Sequence, residues 1–111
     1  MDAQKPSIGR IVHYTLTEKD ADAINRRRTT GVSISERLSA GHWPAGAQAH
    51  IGNKATAGQV VPAMIVAVWP GPELNINARC YLDGTDDYWA TTVPWTPETE
   101  VAGAWNWPPR V

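Results

Sequence analysis

The sequence predicts a small, mainly β domain of the α+β class. Three observations carry that reading. Apolar residues recur at every second position through 74–82, the run 59–70 is apolar on both faces, and only 18–28 has the end signals of a helix. At 111 residues the chain has the length of one domain, so a single unit over 1–111 is expected.

The elements follow in order. Ile8-Gly9-Arg10-Ile11-Val12-His13-Tyr14, after Pro6-Ser7, reads as a first short strand. Thr17 then offers an N-cap, Glu18 and Asp20 occupy the first turn, and Arg26-Arg27-Arg28 the last, which suits the helix dipole at both ends. Asp20 stands three residues after Thr17, the spacing of a capping box. Ala21, Ile24 and Arg28 share one face, so the apolar stripe is thin. Residues 29–58 are rich in Gly, Ala, Ser and Thr and read as a long loop insertion, with one weak helical turn near Ser35–Ser39. A loop of that length inside a small domain is generally functional, mobile or held by a partner.

In 59–70, Met64, Val66 and Val68 point one way and Ile65, Ala67 and Trp69 the other. Such a strand is expected at the centre of the sheet or at a partner interface. Pro62 has no amide hydrogen, which places the strand's start at an edge or a bulge. Pro70-Gly71-Pro72 ends it. In 74–82, Leu74, Ile76, Ala78, Cys80 and Leu82 form an apolar face opposite Asn75, Asn77, Arg79 and Tyr81, the pattern of a half-buried antiparallel strand. Asp83-Gly84 is a turn signal, and 88–93 returns as the hairpin partner. Gly103-Ala104-Trp105-Asn106-Trp107 suggests a last strand with both indoles on one side. The architecture expected is a small twisted antiparallel sheet or SH3-like barrel with one short N-terminal helix.

Composition narrows the function classes. Ten basic and eleven acidic residues give a net charge of −1, which argues against nucleic acid as a partner. The single cysteine, Cys80, excludes an intramolecular disulfide. The longest apolar run, Val60 to Trp69, contains Pro62 and is too short to span a bilayer, and Met1 to Pro6 has no apolar signal core; a soluble, intracellular protein without membrane contact is expected. There is no nucleophile elbow, dinucleotide fingerprint or phosphate loop. His13, His42 and His50 lie in three settings with no acid or cysteine at metal spacing. Asp83, Asp86 and Asp87 lack the alternating ligands of a calcium loop and read as a solvated turn. Cys80, on an apolar face, reads as an inert buried thiol. No enzyme, cofactor or metal is expected.

Binding chemistry is better represented: six Trp and three Tyr with no Phe. Trp69, Trp89, Trp105, Trp107, Tyr81 and Tyr88, with Arg79 and the Arg26–Arg28 run, offer stacking faces and phosphate partners. The plainer alternative stays open: without Phe, Trp fills the core, and the arginine run is a solvated helix end. Exposed indoles and the doubly apolar strand also imply a homo-oligomer.

The opening Pro6-Ser7-Ile8-Gly9-Arg10-Ile11-Val12-His13-Tyr14 and the Asp22–Arg28 stretch are followed by Gly58 to Trp69. Leu82-Asp83-Gly84 with Asp86 and Trp89, and the closing Trp105-Asn106-Trp107-Pro108-Pro109-Arg110, complete a pattern. Together these resemble a family of small proteins encoded by tailed bacteriophages; Val32 to His50 falls outside the likeness. The resemblance implies two function classes. One is a non-enzymatic anti-defence protein in the host cytoplasm that sequesters a nucleotide-derived bacterial immune signal. Its ligand-binding set would be Tyr14, Asn25, Arg28, Asn77, Arg79, Asp83, Trp89 and Trp107, with Trp89 and Trp107 stacking and Arg28 and Arg79 pairing phosphates. Asn25, Asn77 and Asp83 would read sugar or base edges. The other is a virion component, a capsid decoration or head–tail accessory, in which 29–58 is an arm and the indoles are interface anchors. A Tudor-like reader shares the barrel pattern but lacks the charge.

Overall fold

Six elements follow one another along the chain: β1 (Ile11–Thr15), α1 (Glu18–Arg26), β2 (Val60–Val68), β3 (Ile76–Tyr81), β4 (Asp87–Val93) and β5 (Trp105–Asn106). They belong to a computed structural model that describes residues 5–27 and 51–109. Arg28, the turn near Ser35–Ser39 and the 29–50 part of the expected long loop lie outside the described residues.

The strands form one antiparallel sheet in the order β4-β3-β2-β1-β5. Its two ends meet. Trp105 pairs with Tyr14 on β1 and also bridges in parallel to Trp95, just beyond β4. The Trp105 amide donates to the Pro94 carbonyl at 2.9 Å, and the Thr96 amide to the Trp105 carbonyl at 3.0 Å. Closing a sheet on itself removes much of its free edge, as small barrels do.

The core sits on one face of the sheet. Val12 and Tyr14 of β1, Val61, Ala63 and Ile65 of β2, Ile76, Ala78 and Cys80 of β3, and Ala90 and Val93 of β4 are buried together with Leu16, Ala21, Ile24 and Trp105. The alternation read in 74–82 holds from Ile76 to Tyr81, with Arg79 and Tyr81 outside. Leu74 departs from it. Its backbone is left-handed, with φ 53°, and its carbonyl accepts the Trp105 indole N–H at 2.9 Å, so the strand starts two residues later.

β2 lies at the centre, as its two apolar faces require. The Ile65 amide donates to Arg10 and the Leu16 amide to Gln59, which fixes the β1–β2 alternation and turns the nitrogen of Pro62 towards β3. The β2–β3 ladder begins only at Ala63, so no donor is missing at the proline. The single alternation expected through 59–70 is broken, however. The register shifts between Ile65 and Ala67, and Ala67 pairs with Asn77 on the outer side, so Met64 and Ala67 share a face.

α1 forms where its caps predict. The Thr17 hydroxyl accepts the Asp20 amide at 3.0 Å and the Asp20 carboxylate accepts the Thr17 amide at 2.9 Å, completing the capping box. The helix ends at Arg26, short of the expected 28, because Arg27 is its C-cap and sends its guanidinium to the β3–β4 turn. Residues 51–58 are sewn down rather than looped free. Gly52 bridges Gly84, and the Asn25 amide brackets the Ala55 backbone, donating at 2.8 Å and accepting at 2.9 Å.

Trp105 fills the centre and satisfies the Leu74 carbonyl at once. Trp105→Phe is expected to cost about 2–4 kcal/mol, from lost volume and a buried carbonyl left without its donor. Urea unfolding measures this; a cost under about 0.5 kcal/mol, the surface-substitution range, would show that the indole anchors nothing.

Candidate functional site

Three polar or aromatic constellations stand out from the fold. The first is internal. Asp20, at the first turn of α1, is buried, and its carboxylate accepts from the Tyr14 hydroxyl of β1, the Tyr88 hydroxyl of β4 at 2.7 Å and the Thr17 amide. Burial pushes the Asp20 carboxyl up, but the Thr17 amide, the two tyrosine hydroxyls and the Thr17 hydroxyl outweigh it, and the group ends below the usual carboxylate range. The phenols respond in the opposite sense. Burial and then the Asp20 carboxylate raise Tyr14, and the same causes push Tyr88 to about 12. Cys80, buried beside them, is pushed to about 12, first by burial and then by the Asp20 and Asp87 carboxylates. At neutral pH it is a thiol, not a nucleophile.

The second is a surface cleft of about 480 Å³ beside the β3–β4 turn, between Arg27, Tyr81, Leu82, Thr85, Asp86 and Asp87. Its volume suits a small ligand. Its charges suit an anion poorly: Arg27 pairs with the Asp86 carboxylate at 2.9 Å and donates to the Asp87 carbonyl at 3.1 Å. The Asp86 side chain is 2% exposed.

The third is the outer face of the sheet. The registers Ile11↔Met64, Met64↔Arg79 and Arg79↔Trp89 place these four residues in one row across β1 to β4. Tyr81 and Asp87, paired to each other, stand in the next row; the Tyr81 hydroxyl reaches the Met64 sulfur at 4.0 Å. On the other side Asn77 Oδ1 accepts the Trp69 indole N–H at 3.0 Å and the Thr92 amide at 2.8 Å, which fixes the Trp69 ring. Ile11 is 42%, Trp69 45%, Tyr81 45% and Trp89 56% exposed. In their midst Arg79 and Asp87 form an ion pair at 3.1 Å.

The residues expected to bind a ligand are therefore dispersed. Tyr14 is buried on Asp20, and Asn25 holds the Ala55 backbone. Asn77 braces Trp69, and Asp83 accepts from Asn53 Nδ2 at 2.7 Å. Trp107 stands edge-on to Trp105, with ring centroids 5.3 Å apart, and Arg10 covers its face at 5.0 Å. Arg28 lies outside the described residues. Among the described members of the set, Arg79 and Trp89 come together as a cross-strand pair, with Asn77 further along the same strand as Arg79. Sequence reasoning missed Asp20 and Asp87 as organising groups. The signal for Asp20 was the capping box, read as a helix start alone.

Among the described residues no three His, Cys, Asp or Glu side chains cluster to hold a metal ion, and no helix is long and apolar enough to cross a membrane. Comparison with protein-family models, curated proteins and solved structures found no match to the chain.

The Asp20 hub makes stability depend on pH. Its carboxyl is held below the unfolded value of about 3.9, so its stabilisation is present above that pH and lost as pH falls through the lowered value. Asp20→Asn is expected to lose about 2–4 kcal/mol at pH 7. Its unfolding free energy should also change less between pH 5 and pH 2 than the wild type's. Urea unfolding across that range checks both; parallel curves would remove Asp20 from the account.

Proposed function

We propose that the protein is a non-enzymatic docking component that works by protein–protein contact through the outer face of its sheet. In the phage setting that the sequence resembles, this is a virion accessory. One observation carries the reading: the contiguous outward-facing row of Ile11, half-buried Met64, Arg79 and Trp89, flanked by Tyr81 and Trp69. Monomers rarely leave such a face uncovered, and aromatic residues with arginine are the anchors that interfaces use. The Arg79–Asp87 pair supports the same reading, because it presents both signs of charge inside an apolar field.

Sequestration of a phosphorylated signal asks for something else. A tight small-ligand site is enclosed and offers cations to the phosphates. Here Arg79 is engaged with Asp87 and Arg27 with Asp86, and the cleft that Arg27 lines also carries the Asp86 and Asp87 carboxylates. Tyr14 and Asn25 spend their polar groups inside the fold.

Sedimentation of the tagged protein with purified virions of the encoding phage tests the proposal. The wild type is expected in the virion fraction. The Trp89→Ser, Tyr81→Ser double variant should show at least about a tenfold lower bound share, the loss of a single hot-spot contact, with its circular dichroism unchanged. A wild-type protein that stays in the supernatant and releases a nucleotide on heating would overturn the docking reading in favour of sequestration.

A further inference from the structure

We infer that the first occupant of this face is a second copy of the chain, packed face to face about a two-fold axis that passes beside the Arg79–Asp87 pair. The inference rests on the docking reading and goes beyond it by naming the partner.

Charge complementarity is the first argument. Arg79 on β3 and Asp87 on β4 are diagonal neighbours, 3.1 Å apart at their charged ends and each about half exposed. Around them stand Met64, Tyr81 and Trp89. The surface that complements this one is apolar, with one acid and one base at its centre, in reversed order. A copy of the same face, turned by a two-fold rotation, is such a surface. Arg79 of each copy then meets Asp87 of the other, and the two ion pairs become an alternating ring of four charges. A self-complementary patch of this kind is what an isologous interface requires.

Area is the second argument. Ile11, Trp69, Tyr81 and Trp89 are 42–56% exposed, and Val66, at the β2 bulge, is 41% exposed. The three aromatic side chains, of about 150–250 Å² each, leave roughly 220–370 Å² open at those exposures, and Ile11 and Val66 widen the face. The face therefore ranks with the largest apolar patch of a typical monomer, about 300–600 Å² and often functional, and is the size of the apolar part of a standard interface of roughly 800 Å² per partner. The face is also stiff. Asn77 holds Trp69, and the β2–β3–β4 ladder fixes the others, so little ordering cost opposes association.

The geometry makes a charge-reversal test decisive. Arg79→Glu turns the central pair into two acids, and Asp87→Lys turns it into two bases. Each variant alone repels its own copy, and each complements the other. Light scattering coupled to size exclusion should give twice the chain mass for the wild type at micromolar concentration. Each single variant should run at the chain mass, with a dimer dissociation constant raised at least about 30-fold. An equimolar mixture of the two should return to twice the chain mass. Recovery on mixing also shows that both variants fold. A wild type that stays monomeric up to about 1 mM, or single variants that dimerise as the wild type does, would overturn the inference. If the wild type is monomeric yet still sediments with virions, and the Trp89→Ser, Tyr81→Ser variant does not, the self-pairing fails while the docking reading stands.

Discussion

A carboxylate buried among three donors is the constraint on which the rest of the structure depends. Asp20 belongs to a nine-residue helix too short to be stable alone. Its oxygens accept from the helix's own N-cap, from Tyr14 on β1 and from Tyr88 on β4. β1 and β4 are separated by two strands in the sheet order. One charge therefore ties the helix to both flanks of the sheet and holds the curvature that encloses the core. Removing any donor leaves a buried charge under-satisfied, which costs more than the bond itself returns.

That internal accounting sorts the aromatic residues. Trp105 is wholly buried and gives its N–H to the backbone, and Trp107 is capped by Arg10. Tyr14 and Tyr88 serve Asp20. Trp69, Tyr81 and Trp89 lie on the outer face, each about half exposed, with Trp69 held by Asn77 and Tyr81 reaching Met64. The inside of the sheet is thus specified by hydrogen bonds and volume. Among the described residues the outside carries a half-exposed apolar surface, and function is the natural place to look for its purpose.

Much of the fold was legible in local pattern. The alternation of Ile76, Ala78 and Cys80 against Asn77, Arg79 and Tyr81 marked β3, and Thr17 with Asp20 marked the start of α1, because both signals act over a few residues. The bulge at Ile65–Ala67 was not legible, since nothing in a run of apolar residues says where a ladder slips. The candidate site was harder still. Asp20 meets Tyr88 across 68 positions, and Arg27 reaches the Asp87 carbonyl across 60. The pairing of Arg79 with Trp89 required the register of β3 on β4. Composition indicated aromatic recognition, but it could not tell Trp89, which faces outward, from Trp105, which carries the core.

On the docking reading, the outer face is made for another protein surface and not for a small phosphorylated guest. Native mass spectrometry of the protein purified from producing cells tests both halves in one spectrum. A two-chain species with no added small-molecule mass is expected. A single-chain species carrying an adduct of nucleotide mass would contradict it.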